Sequence, residues 1–169
     1  VQLGGADDDV LVGGDAGDAL IGKAGADLIL GNGGNDVASG GSGADIIEGG
    51  AGRDVQLGGA GDDTLILGKG DLGLGGAGTD TIITQGNSGA ETLEVAWDGG
   101  SFTFFKGGAV SSIEQAIADM GVGGDWLRYT NSSVGVSINL TTNTASGFVS
   151  IANVENAAGG AFNDTITGS

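Results

Sequence analysis

The sequence predicts an all-β fold: a flattened parallel coil over its first half, then a mostly β flanking segment that contains one short helix. Three observations carry this expectation. A nine-residue period runs from Gly4 to Ile83, each copy a glycine-rich turn, an aspartate at the sixth place and three strand-forming residues. Glycine supplies 39 of 169 residues, while proline and cysteine are absent. Beyond Thr84 the period gives way to stretches of alternating apolar and polar residues, as in half-buried strands. Three segments are therefore expected: the array over 1–83, a flanking or capping segment over 84–158, and the start of a second array over 159–169.

The best-formed copies read Gly40-Gly41-Ser42-Gly43-Ala44-Asp45-Ile46-Ile47-Glu48, Gly49-Gly50-Ala51-Gly52-Arg53-Asp54-Val55-Gln56-Leu57 and Gly58-Gly59-Ala60-Gly61-Asp62-Asp63-Thr64-Leu65-Ile66. Turn plus strand, repeated, stacks into two parallel sheets, with one copy forming half a coil. Side chains alternate across a strand, so the middle strand residue points inward. That set is Leu11, Leu20, Ile29, Ala38, Ile47, Gln56 and Leu65. One sheet receives Leu11, Ile29, Ile47 and Leu65. The other receives Gln2, Leu20, Ala38 and Gln56, a weaker set that predicts a lopsided core. The outward positions Val10, Val12, Leu28, Leu30, Val55, Leu57 and Ile66 are apolar enough to expect a covering surface.

The aspartates carry the chemistry. Asp9, Asp18, Asp27, Asp36, Asp45, Asp54 and Asp63 recur nine apart, so residues 18 apart stack along one edge of the coil. Carboxylates one strand spacing apart, about 4.8 Å, repel unless a cation lies between them. Calcium suits such a site, since it takes roughly six to eight oxygen ligands from carboxylates and main-chain carbonyls. Magnesium demands a tighter octahedron, and zinc or copper would want the His and Cys that this sequence lacks. The stacked pairs are Asp9 with Asp27, Asp18 with Asp36, Asp27 with Asp45, Asp36 with Asp54, and Asp45 with Asp63.

These nonapeptides resemble the RTX (repeats-in-toxin) family over about half of the chain. The resemblance implies a parallel β-roll holding about five or more calcium ions. It also implies a secreted or cell-surface parent protein, exported unfolded by type I secretion machinery and folding where calcium is abundant. In that family a turn supplies carbonyls from its first four places and the carboxylate from its sixth. Carried over, the carboxylate ligands are Asp9, Asp18, Asp27, Asp36, Asp45, Asp54, Asp63 and Asp80. The carbonyl ligands are those of Gly13, Gly14, Ala16, Gly22, Gly25, Gly31, Gly34, Gly40, Gly41, Gly43, Gly49, Gly50, Gly52, Gly58, Gly59 and Gly61. Asp71, Asp125 and Asp164 are further candidate ligands outside the regular phase.

The copies also depart from the pattern. Asp7 and Ala16 replace glycine at the fourth place, and Lys23 and Asn32 replace it at the second, which predicts strain in the turn from Gly22 to Asp27. After Ile66 the stretch Leu67 to Leu74 is one residue short, and Gly75 to Ile83 resumes the period. The pairs Asp54 with Asp71 and Asp63 with Asp80 are thus 17 residues apart.

In the second half, Thr92 to Trp97 alternates, Asp98-Gly99-Gly100 signals a turn, and Ser101 to Phe105 reads as the return strand of a hairpin. Trp97, Phe102, Phe104 and Phe105 form a candidate small core. Ser111-Ser112-Ile113-Glu114 reads as a capping box opening a helix, with Ile113, Ala116, Ile117 and Met120 on one face and Gly121 at its end. Met120 to Arg128 is a degenerate nonapeptide, in which Asp125 has no partner 18 residues away. Val134 to Leu140 and Phe148 to Val154 alternate, and Gly159 to Thr167 restarts the period with Phe162 in a glycine's place.

The net charge of −17 argues against nucleic acid and anionic membranes as partners. No apolar run is long enough to span a membrane as a helix. Five calcium ions would bring the charge to about −7. The absence of His and Cys removes most nucleophile–base arrangements. Asp98, Glu91 and Glu94 could supply a glycosidase-like pair, but no fixed spacing commits them to it. The expected function is a non-enzymatic calcium-binding module that folds on calcium binding, within a parent whose own activity lies elsewhere. The alternative is a calcium-rigidified structural or adhesive segment. Val1-Gln2-Leu3 matches Val55-Gln56-Leu57, so the chain is expected to begin mid-array, with neighbouring repeats as partners.

Overall fold

The computed structural model describes residues 1–86 and 88–168. Asn87 and Ser169, which fall within the segments expected over 84–158 and 159–169, lie outside them. The array forms β1 (Gln2–Leu3), β2 (Val10–Val12), β3 (Ala19–Ala24), β4 (Leu28–Leu30), β5 (Val37–Ser42), β6 (Ile46–Glu48), β7 (Val55–Ala60), β8 (Thr64–Ile66), β9 (Leu72–Ala77) and β10 (Thr81–Gln85). Then come β11 (Thr92–Trp97), β12 (Phe102–Phe105), β13 (Gly108–Ser111), β14 (Gln115–Asp119), β15 (Trp126–Tyr129), β16 (Ser137–Asn139), β17 (Thr144–Ala145), β18 (Phe148–Ala152), β19 (Asn156–Ala158) and β20 (Thr165–Thr167).

Through the array, β1 to β10, successive strands alternate between two sheets. One has ten strands in the order β1-β3-β5-β7-β9-β13-β12-β11-β15-β19; the other has seven in the order β18-β14-β10-β8-β6-β4-β2. A three-stranded sheet, β17-β16-β20, completes the molecule. Within the array every pairing is parallel and steps by one period pair: Leu11 lies beside Ile29, and Leu20 beside Ala38. This is the parallel β-roll that the repeat implies. Both sheets continue through residues 84–158.

The inward set is as expected. Leu11, Leu20, Ile29, Ala38, Ile47, Gln56 and Leu65 are all buried. Gln56 sits in an apolar row because its Nε2 crosses the coil to donate to Ile66 O at 3.0 Å. The outward aliphatics are another matter. Val10 and Val12 remain exposed, as do Ile46 on the same sheet and Ile21, Val37 and Leu72 on the other.

The missing residue after Ile66 is absorbed in the turn and not in the strands. Val55 pairs with Leu72 and Leu65 with Ile82, so the strand register survives at a 17-residue step. Core packing explains how. Gly73 stands in the inward row beside Gln56 and has no side chain to offer. Leu67, at the head of the shortened turn, folds in over it: a Cβ on Gly73 would lie 3.0 Å from Leu67 Cδ1. Leu67 is accordingly buried at 3% exposure.

The hairpin forms as expected, with β11 and β12 antiparallel and a bulge at Ala96/Trp97. The aromatic cluster is core packing. Phe102 meets Trp97 at 4.9 Å, Phe148 at 5.3 Å and Phe105 at 5.4 Å between ring centroids. Phe104 lies on the other side of its strand and is half-buried, so Phe148 and Tyr129 take the place expected for it.

The helix expected over 111–120 is replaced by a turn and strand β14, and no helix occurs among the described residues. The physical reason is the edge of β10. Five residues of β14 pair with Thr81–Gln85 in parallel register, and those hydrogen bonds outweigh a marginal helical preference. Ile113 is buried ahead of the strand, and within and just after it the buried positions are Ala116, Ala118 and Met120, which alternate, while Ile117 lies on the outer face and is half-buried.

If Leu67 compensates for Gly73, Leu67→Ala should destabilise the folded chain by about 2–5 kcal/mol. Denaturant unfolding measures this. A loss near that of an exposed leucine would show that the slip is tolerated by other means.

Candidate metal centre

The turns fall along two edges. One edge holds the turns that end in Asp9, Asp27, Asp45, Asp63, Asp80 and Glu114; the other holds those ending in Asp18, Asp36, Asp54 and Asp71 and, further along, Glu91, Asp125 and Glu155. Along each edge the carboxylates form a ladder. The N–H of Asp9 donates to Asp27 Oδ1 at 2.8 Å, Asp27 to Asp45 at 2.8 Å, Asp45 to Asp63 at 2.9 Å and Asp63 to Asp80 at 2.9 Å. The other edge repeats it: Asp18 to Asp36 at 2.7 Å, Asp36 to Asp54 at 2.9 Å and Asp54 to Asp71 at 3.0 Å. The five expected pairs are thus stacked, and the two at the 17-residue step join them.

One oxygen of each aspartate from Asp27 onward is therefore occupied. The other turns toward the first residue of its own turn, where a Cβ on Gly22, Gly40 or Gly58 would collide with it. A glycine is required there by close approach. The Oδ2 atoms of Asp27, Asp36, Asp45, Asp54, Asp63, Asp80 and Asp125 are buried with no hydrogen-bond partner among the described residues. Leaving a buried carboxylate oxygen unpaired is costly. Asp9, Asp18 and Asp71 differ, since their Oδ2 atoms accept from Gly5, Gly14 and Gly68.

Main-chain carbonyls converge on the same strips. Those of Gly22, Gly31, Gly40 and Gly49 face the first place of the preceding turn, and those of Gly25, Gly34, Gly43 and Gly61 face the fourth place of the following one. Gly41 O faces the second place, at Gly59. Gly14 O already accepts from Gly33 N–H at 3.0 Å. Among the described residues no three carboxylates gather at one point. A cation here would take carboxylates from adjacent turns and complete its shell with carbonyls, all hard oxygens. The residues present fit calcium.

Two turns carry a cation or amide donor of their own. Lys23 sits at φ 87° and Asn32 at φ 71°, where later copies have Gly41 and Gly50 at φ 120° and 94°. The strain expected between Gly22 and Asp27 is thus real, and it serves a contact. Lys23 Nζ donates to Gly4 O at 2.6 Å, and Asn32 Nδ2 donates to Gly13 O at 2.9 Å. Each takes a carbonyl from the first rung of its edge.

The ladder breaks between Asp71 and Glu91, where β12 and β13 enter the sheet between β9 and β11. Lys106 stands in that gap, its Nζ donating to Thr84 Oγ1 at 2.8 Å and Gln85 O at 3.1 Å. Burial holds its pKa below the usual lysine value, opposed by the nearby charges of Glu91 and Asp71.

The family pattern of the RTX calcium-binding nonapeptide repeat matches residues 3–29, 21–56, 39–71 and 153–169, half of the chain in all. The chain belongs to this RTX repeat family. It is a calcium-binding repeat protein with a parallel β-roll. No curated protein and no solved structure matches it.

Sequence reasoning missed three RTX-like rungs. Asp80 N–H donates to Glu114 Oε2 at 2.9 Å, Glu91 N–H to Asp125 Oδ1 at 2.7 Å, and Asp125 N–H to Glu155 Oε2 at 2.8 Å. Asp125 does have stacked partners, but they stand 34 and 30 residues away because hairpin and loop residues intervene. Asp164 Oδ1 accepts from Val136 N–H at 2.9 Å, so it caps the three-stranded sheet. Of the carboxylates weighed for catalysis, Asp98 closes its hairpin turn by accepting from Gly100 and Ser101 at 2.9 and 2.7 Å.

Burial raises the pKa of Asp63 from 3.8 to about 6; a hydrogen bond from Asp45 N–H opposes this, and the neighbouring carboxylates reinforce it. Burial likewise raises Asp45, Asp54 and Asp80. A carboxyl whose folded pKa lies above its unfolded value adds stability below the unfolded pKa, and that stability is lost as pH rises through the folded one. In chelator, the fold should therefore be most stable below pH about 4 and weaken through pH about 6. With calcium the slope should reverse, because protons compete with the ion. Thermal unfolding at several pH values, with and without calcium, checks both slopes. Separately, Lys23→Gly should relieve the positive φ and free Gly4 O, tightening calcium at the first rung by about tenfold. Calorimetric titration reads this directly, and unchanged affinity would mean that Gly4 O is no ligand.

Proposed function

We propose that this chain is a calcium-driven folding module of a larger secreted or cell-surface protein. The observation that carries the reading is the run of buried carboxylate oxygens without partners among the described residues, on a chain of net charge −17. Such a fold is disfavoured without cations and strongly favoured with them, so the binding energy becomes folding energy. The ligands in this reading are the Oδ2 atoms of Asp27, Asp36, Asp45, Asp54, Asp63 and Asp80, joined by the facing carbonyls of the glycine turns. Asp9 and Asp18 serve the first rungs, and Asp71 the shortened turn. The chain itself catalyses nothing. Where calcium is scarce it stays open, a state suited to the type I export that RTX membership suggests, and outside the cell it closes.

A second reading treats the roll as a rigid structural or adhesive segment. The exposed rows of Val10, Val12 and Ile46 on one face, and Ile21, Val37 and Leu72 on the other, favour it. The two readings share the calcium step and can both hold.

The decisive measurement is far-UV circular dichroism from chelator to millimolar calcium, with magnesium as control. The expected outcome is a cooperative gain of β signal with calcium alone. A chain already folded in chelator, and unchanged by calcium, would end the folding-module reading. In equilibrium dialysis Asp45→Ala should cost two ions, because Asp45 stands in two stacked pairs, and Asp9→Ala should cost one. Equal losses would argue against shared ligands.

A further inference from the structure

The carboxylate ladder resumes in a part of the chain that the nonapeptide pattern does not match, between residues 71 and 153. Three features of the array recur there. In the array, Gly22 faces both Asp27 Oδ2 of its own turn and Gly40 O of the next coil. Gly86 in the same way faces Glu91 Oε2 of its own turn and Met120 O of the next. In the array, Gly43 faces the carbonyl of Gly25. Gly123 faces the carbonyl of Gly89. Glu91 N–H donates to Asp125 Oδ1 at 2.7 Å, as each array aspartate donates to the next rung.

The fourth feature points to a ligand. Asp125 is 0% exposed, and its Oδ2 has no hydrogen-bond partner among the described residues. A buried carboxylate oxygen without a donor, on the rung next to a second acidic residue, is a strongly unfavourable arrangement unless a cation neutralises it. The donors at hand are two carboxylates and two carbonyls, a hard oxygen set.

We propose that Glu91 and Asp125, with the carbonyls of Met120 and Gly89, form a further divalent-cation site outside the nonapeptide repeats, and that calcium is the ion it takes. The proposal rests on the reading of the array's unpartnered carboxylates as calcium ligands. Glu155, which accepts from Asp125 N–H at 2.8 Å, is a positioning residue, holding that turn in place. The site pins β11 to β15 at their starts, where Thr92 pairs with Trp126.

The site carries its own reporter. Trp126 follows Asp125 directly, and the other tryptophan, Trp97, at the far end of β11 beside Phe102 and the Asp80–Glu114 rung, is replaced by phenylalanine (Trp97→Phe) in every chain titrated. The nearest array rung on this edge is separated from β15 by four strand spacings, roughly 19 Å. Terbium(III), an oxygen-seeking stand-in for calcium, emits when a tryptophan close by is excited. The experiment is a terbium titration of the full chain with excitation at tryptophan, alongside equilibrium dialysis with calcium.

The Trp97→Phe chain should show tryptophan-sensitised emission that calcium displaces. That emission should be lost in Asp125→Asn and in Glu91→Gln, each binding one calcium ion fewer, and retained in Asp45→Ala. Glu91→Gln serves as the second variant if Asp125→Asn fails to fold. Sensitised emission that persists in both variants, or its absence from a Trp97→Phe chain whose array binds calcium, overturns the proposal. A wild-type chain that binds no calcium at all overturns the folding-module reading, and this site with it.

Discussion

The rung aspartates from Asp27 to Asp63 face two demands that the polypeptide alone cannot both meet. One carboxylate oxygen accepts the N–H of the coil before it, which fixes the stacking distance and the register. The other is buried against a glycine with no donor in reach, as in Asp27 through Asp63. Both follow from one choice, an acidic side chain at the last place of a turn whose first place is glycine. In the proposed reading, the stranded oxygen is what ties folding to a cation. A serine or asparagine at the same place could cap the neighbouring N–H without leaving a buried charge.

Much of this was legible because the period is strict. The seven inward residues, the five stacked pairs and the hairpin at Trp97 can all be read from spacing alone. The slip after Ile66 could be placed but not resolved, since Leu67 filling the space above Gly73 is a tertiary event. The helix over 111–120 was misread for a related reason. Ile113, Ala116, Ile117 and Met120 satisfy a helical period, yet Ala116, Ala118 and Met120 satisfy a strand period equally well, and the waiting edge of β10 decided between them.

Two signals were present and unused. Gly86, Gly89 and Glu91 occupy the first, fourth and sixth places of a nonapeptide, but glutamate stands where aspartate was sought. The strings Ser112-Ile113-Glu114-Gln115-Ala116 and Asn153-Val154-Glu155-Asn156-Ala157 are short copies of one another. In both, the first residue adopts positive φ, 51° at Ser112 and 54° at Asn153, and the glutamate caps the preceding rung. A shorter turn with a longer side chain reaches the same point as a longer turn with a shorter one. The second half thus continues the roll with different turns, and the aromatic cluster around Phe102 fills the coil where hairpin strands widen it.

The direction of the inter-coil bonds has a mechanical consequence. Rung hydrogen bonds and sheet pairings all run along the solenoid axis, so tension applied along that axis loads the coils in series. Each array coil touches only its neighbours. Peeling one coil releases 18 residues, about 60 Å of extended chain, from about 4.8 Å of solenoid. Such a body is stiff up to a threshold and then lengthens in discrete steps, with the coils still closed keeping their register. Where calcium closes the coils, as proposed, its concentration sets that threshold, and the yield point becomes chemically adjustable.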